Sequence, residues 1–170
     1  MNSYNEFEAK PHFEYLVKEY LSPLLKEKGY KKKGGCWTKT NGEIEANISL
    51  KKSTYNTKRG INFCFCISVL KRDEGLGIGD QQNDLFLPRK RVEYKWENHH
   101  WNGWYLIYRA SEFEKLLNEE LKVDIEEYII PLLEKINTTE KLRSIIFKKE
   151  EIEKHNKGQR WYIPDEVSLD

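Results

Sequence analysis

The sequence predicts an α+β domain: an antiparallel β-sheet of about four to five strands, covered by an N-terminal helix and a C-terminal helical layer. Three observations predict it. Phe13, Leu16, Val17, Tyr20, Leu21, Leu24 and Leu25 recur at the spacing of one helical face. Ile44, Ala46, Ile48 and Leu50 then alternate with Glu45, Asn47 and Ser49, directly after an Asn41-Gly42 turn signal. Helical spacing returns late, in Phe113, Leu117, Leu121, Ile125, Tyr128, Ile129, Leu132, Leu133 and Ile136. Strands joined by a tight hairpin and then followed by helices argue an antiparallel sheet with its helices segregated.

In chain order, the first helix has Pro11 in its opening turn, Pro23 where it kinks or divides the helix, and Gly29 where a C-terminal stop is expected. Residues 36–40 and 43–50 form a hairpin with one wet face, Asn41-Gly42 supplying the two positive φ angles of a type I′ turn. Residues 61–70 are apolar at nearly every position, which makes that strand central. Residues 71–100 mix Gly, Asp, Asn and charge with apolar patches at 85–87 and 92–96. A structureless stretch of that length is unusual inside a domain, so one short strand or helical turn is expected there. Residues 101–109 read as another strand, with Trp104, Leu106 and Tyr108 on one face and Tyr105 and Ile107 on the other. Ser111 and Glu114 have the spacing of a capping box opening the long helical region, which Val123-Asp124 is expected to interrupt and Pro131 to kink or restart. Thr138 or Thr139 caps a last helix through Leu142, Ile145 and Ile146, and the tail Trp161-Tyr162-Ile163-Pro164 is expected to strap onto the core.

The 170 residues are 38% hydrophobic and 34% charged, with mean hydropathy −0.81, and contain no repeat or low-complexity linker, so a single domain over 1–170 is expected, ending in a tail at 158–170. No stretch approaches the roughly 18 apolar residues of a membrane-spanning helix. The opening MNSYNEFEAK lacks the basic-then-apolar order of a signal peptide, and a cytoplasmic location away from membranes is expected. Three cysteines in such a chain argue against a disulfide framework. Cys64 and Cys66 share one face of a strand, and C-x-C lacks the spacer of zinc pairs, so both read as core or half-buried side chains. Net charge is +1, yet residues 1–110 carry +6 (19 Lys plus Arg against 13 Asp plus Glu) and residues 111–170 carry −5 (10 against 15). That asymmetry fits a basic surface for an anionic partner, or an acidic helical layer on the far side of a basic sheet.

Several of these features coincide in one pattern. The first helix ends Leu24-Leu25, followed by Gly29-Tyr30-Lys31-Lys32-Lys33-Gly34. A strand carries Asn47-Ile48 and then Lys52-Ser53, an apolar strand follows, and a late Trp precedes the terminal helices. Over about residues 7–150 the chain resembles the bacterial domain-of-unknown-function family 4304. The resemblance implies a small single-domain α+β protein and no established reaction. Small α+β proteins of this sort are also common among immunity proteins to bacterial toxins, an analogy at the level of fold.

Candidate sites were weighed on their chemistry. Residues 75–80, Gly-Leu-Gly-Ile-Gly-Asp, carry the spaced glycines of a phosphate loop, but Asp80 stands where a dinucleotide fingerprint needs Gly and no Gly-Lys-Ser/Thr follows, so they read as a flexible turn. His99 and His100 are adjacent and, on an extended strand, point to opposite faces, which does not suit one metal; His12 and His155 are less suggestive still. Glu119-Glu120 and Glu126-Glu127 read as exposed helix positions, and Lys31-Lys32-Lys33 as a helix-end basic cluster. No catalytic, cofactor-binding or metal-binding set is assigned. The strongest surface candidate is Arg89, Lys90, Arg91, Trp96, His99, His100 and Trp101, where cations suited to phosphate or carboxylate stand close to rings that stack or anchor. The leading reading is a non-catalytic protein-interaction module, an immunity-type protein being its most concrete form. Nucleic-acid binding by the basic and aromatic surface is the alternative, followed by an enzyme with a dispersed site.

Overall fold

The computed structural model describes the backbone of residues 7–80 and 104–156, and the side chains of 7–79 and 104–147. The N-terminal helix is one continuous rod in three parts: α1 (Ala9–Tyr15), a π-helical stretch (Leu16–Leu21) and α2 (Ser22–Glu27). Its second half explains the widening. Pro23 has no N–H and its ring crowds the carbonyl four residues back, so the preceding turn opens and the Ser22 N–H reaches Val17 O, five residues away. The same device recurs late in the chain. After α3 (Ala110–Lys115), a long π-helical stretch (Leu116–Ile129) ends with the Ile130 N–H on Ile125 O, and Pro131 then opens α4 (Ile130–Lys135). Both prolines therefore restart a helix without bending the chain away. The last helix, α5, spans Thr139–Asn156.

Between the helical parts lie six antiparallel strands: β1 (Lys31–Lys33), β2 (Cys36–Asn41), β3 (Ile44–Lys52), β4 (Ile61–Lys71), β5 (Leu76–Asp80) and β6 (Trp104–Ile107). The order is β1-β2-β3-β4-β5, with β6 also on β4. β4 is central, as its apolar run predicts. β3 occupies one side of it from Phe63 to Leu70. The other side is shared, since β5 pairs with residues 67–71 and β6 with residues 61–64. Both run antiparallel to β4, so β5 and β6 lie end to end like two halves of one strand, interrupted opposite Phe65 and Cys66.

One face of the sheet, including Trp37, Ile48, Phe63, Phe65, Ile67, Tyr105 and Ile107, is buried in a single core with Leu16, Leu21 and Leu25 of the first helix and Leu121, Ile125, Ile129 and Leu133 of the later ones. The three lysines of β1 are all exposed, which protects that edge from pairing with other chains. Cys64 is buried, Cys36 and Cys66 are half-buried, and none of the three is in a disulfide.

Four expectations are corrected. Residues 76–80 are a strand, not a flexible turn, because Ile78 is buried and Gly77 lets Leu70 approach to where a Cβ would stand 2.6 Å from its Cδ2. The hairpin loop is Gly42-Glu43 and not Asn41-Gly42, since Asn41 pairs with Ile44; Gly42, at φ 58°, is then the first central residue, where both primed turn types need a positive φ. Helix α3 starts at Ala110 with an extended Arg109 ahead of it and no side-chain cap, one residue too early for Ser111 to cap it. Val123-Asp124 does not interrupt the helix. Asp124 is instead wholly buried, its Oδ2 accepting a hydrogen bond from the Tyr105 hydroxyl at 2.8 Å. Removing that donor leaves a carboxyl group without it in the core, so Tyr105→Phe is expected to lower stability by about 1–3 kcal/mol in urea denaturation. A loss below about 0.5 kcal/mol would show that the bond contributes little. The tail at 161–164 lies outside the described residues.

Candidate functional site

Arg89, Lys90, Arg91, Trp96, His99, His100 and Trp101 all lie outside the described residues, and the structure defines instead where their segment is attached. The last described pair before the segment is Asp80 opposite Ile67, and the first after it is Trp104 opposite Cys64. These positions stand three residues apart on β4, about 10 Å at roughly 3.3 Å per residue. Trp104 is half-buried.

A second feature was not expected from sequence. α1 and α3 enclose an open groove of about 410 Å³, lined by Pro11, His12, Tyr15, Ala110, Phe113, Glu114, Leu117 and Asn118. Phe113 and Leu117 are apolar surfaces within it; Glu114 and Asn118 are one helical turn apart and so share a face. His12 is held in a fixed orientation. Its Nδ1 donates to Glu8 O at 2.9 Å, and its ring lies 4.6 Å from Phe7 and edge-on to Phe113 at 5.0 Å. In the neutral ring this leaves Nε2 as the acceptor. Tyr15 is 54% exposed and meets the Phe113 ring edge-on at 6.2 Å. One sequence signal could have found it, for Tyr15 is an aromatic residue standing off the apolar stripe of its helix. The sequence alone gives His12, like His155, less weight than the His99-His100 pair, and places Glu114 in a capping box.

The sheet face away from the helices carries a polar row. Thr38 Oγ1 donates to Asn47 Oδ1 at 2.7 Å, Asn47 Nδ2 donates to Glu45 Oε1 at 2.9 Å, and Arg72 donates to Glu45 through Nε at 3.1 Å and Nη2 at 2.6 Å. Arg72 above all, then Asn47, holds the Glu45 carboxyl below the usual carboxylate range. Because the folded value is depressed, this contribution is present above the unfolded value of about 4.3 and is lost as pH falls through the folded one. Glu45→Gln is therefore expected to be less stable than the parent at neutral pH, with the difference closing below about pH 4. A difference constant across that range would contradict the assignment.

Other polar contacts hold the layers together. Tyr20 donates to Glu126 Oε1 at 2.8 Å, linking the first helix to the long one; burial first, then Glu126, pushes its phenol well up. Glu43 Oε2 accepts from the Thr139 N–H at 2.9 Å and hydroxyl at 2.7 Å, and the Thr138 hydroxyl accepts the Lys141 N–H at 3.2 Å, so the last helix is capped as expected and also tied to the hairpin. Among the described residues no group of three or more His, Cys, Asp or Glu is placed to hold a metal ion, and no helix is long and apolar enough to cross a membrane.

Fold and geometry together define a small α+β domain, an antiparallel sheet backed on one face by helices and interrupted along one edge strand. The chain belongs to the family described as Domain of unknown function (DUF4304), whose model matches residues 21–135, from the end of the first π-helical stretch to the end of α4. No curated protein and no solved structure matches it.

Proposed function

We propose that this chain is a non-catalytic protein-interaction module of the cytoplasm, immunity-like in that it engages a toxin or another protein partner, with Arg89, Lys90, Arg91, Trp96, His99, His100 and Trp101 as its contact set. The observation that carries the reading is the attachment of residues 81–103. Asp80 and Trp104, the described residues that flank it, pair with β4 three residues apart, about 10 Å, so the segment is anchored at both ends within one short stretch of the sheet. The residue types suit the task, since Trp and Arg are the side chains that most often dominate protein interfaces.

The test is affinity capture of the tagged full chain from its native lysate, with and without nuclease, beside a variant carrying Arg89→Ala, Arg91→Ala, Trp96→Ala and Trp101→Ala. A stoichiometric protein that resists nuclease and is lost with the variant is the expected result. Recovery that depends on nucleic acid, or a protein retained equally by the variant, would overturn it.

A further inference from the structure

The groove between α1 and α3 differs from its surroundings in its charge. Two carboxylates near it are neutralised within the chain, Glu14 by Lys10 at 3.8 Å and Glu8 by Lys58 at 2.6 Å. Glu114 is not: it makes no hydrogen bond or ion pair with any described side chain, and among the described residues it is the one carboxylate, lysine or arginine that lines the groove. The remaining lining is mostly apolar, including Leu117 and the exposed ring of Tyr15, with Asn118 one turn beyond Glu114. A carboxylate beside aromatic rings favours a cation with an apolar stem, and an anion would meet only repulsion from Glu114.

We propose that this groove receives an arginine or lysine side chain presented by the polypeptide partner, its charged head on Glu114 and its methylene stem along Tyr15. The proposal rests on the protein-interaction reading above and names the chemistry of that partner. The groove is open on one side, so a side chain reaching in from a polymer fits it better than a small molecule, which is usually enclosed over most of its surface. Position supports the same source. α3 begins just after β6, and the other end of β6, at Trp104, is where the segment 81–103 rejoins the sheet. Trp104, the first described residue after that segment, is therefore about one short strand, roughly 13 Å, from the start of α3.

The experiment is an NMR titration of the full chain with the capped tripeptide Gly-Arg-Gly, its neutral citrulline analogue, and methylguanidinium. Glu114→Gln and Tyr15→Ala are made alongside, both at exposed side chains, with circular dichroism to check that each is folded. The arginine peptide is expected to shift the resonances of Tyr15, Glu114 and Asn118. Its affinity should fall about fivefold or more in each variant, and about tenfold or more for citrulline, as loss of a charge-assisted contact implies. Equal binding of the citrulline peptide, unchanged affinity in both variants, or shifts confined to other residues would overturn the proposal. Methylguanidinium binding as tightly as the peptide would overturn the polypeptide source. The two readings fail separately: a captured protein lost with the Arg89, Arg91, Trp96 and Trp101 variant but held undiminished by Glu114→Gln and Tyr15→Ala sinks this inference and leaves the proposed function standing.

Discussion

Phe63→Ala is expected to lower stability by about 3–5 kcal/mol, the range for emptying a buried aromatic site. Phe63 has no exposed surface and sits where the layers of the core meet. Its ring stacks on Tyr105 of β6 at 5.4 Å and 26°, meets Phe13 of α1 edge-on at 5.4 Å, and contacts Phe65 of its own strand at 6.2 Å. One side chain thus joins the central strand, the returning edge strand and the first helix. Its neighbours lie on three separate elements, so collapse around the void requires all three to move, which places the cost high in the range. In a domain of this size each kcal/mol lowers the melting temperature by roughly 2–4 °C, and a fall of about 10 °C is the expected reading. A loss below about 1 kcal/mol would mean that the layers repack freely around the site.

Gly42→Ala is expected to cost about 2–4 kcal/mol, combining a strained backbone with a steric overlap. Gly42 has φ 58°, and a Cβ built there stands 2.3 Å from the carbonyl oxygen of Asn137. That atom is main chain, so relief means moving the hairpin away from the turn between α4 and α5. Several contacts would go with it: the Glu43 N–H to Asn137 O at 3.3 Å, Asn41 Nδ2 to Glu134 O at 2.7 Å, and the Glu43 carboxylate on Thr139. Gly75→Ala is the control. It has a similar φ of 62° with nothing within 4 Å of the added carbon, so it isolates the backbone term at about 1 kcal/mol. Equal losses at both positions in thermal denaturation would show that the approach to Asn137 is unimportant.

The elements legible in the sequence are those with one buried face. The stripe from Phe13 to Leu25, the alternation from Ile44 to Leu50 and the apolar run of β4 all record burial as periodicity, and the structure places each as expected. Elements without such a face left no trace. β1 is three exposed lysines at an edge, and the glycines of β5 carry no side-chain pattern, so one was read as a helix-end cluster and the other as a turn. Pro23 and Pro131 mark in the sequence where each helix changes its winding, but the π-helical widening that carries the chain past them depends on carbonyl positions no residue pattern records. The groove was hidden for a different reason. His12 and Glu114 are about a hundred residues apart in the sequence and come together only where α1 and α3 line one groove.

The end-to-end placement of β5 and β6 bears on how such a domain can change over generations. The hydrogen-bond ladder on β4 is complete on either side of Phe65 and Cys66, and whatever chain joins Asp80 to Trp104 has only to span that short gap. Closing a longer loop there costs slowly, about 0.6 kcal/mol for each doubling of length. A change in the number of residues between those two points leaves the described pairs of β5 and β6 with β4 in register. The described strands thus form a frame with two fixed points of attachment, and a change in the length of chain between them is a small charge against the stability of the fold.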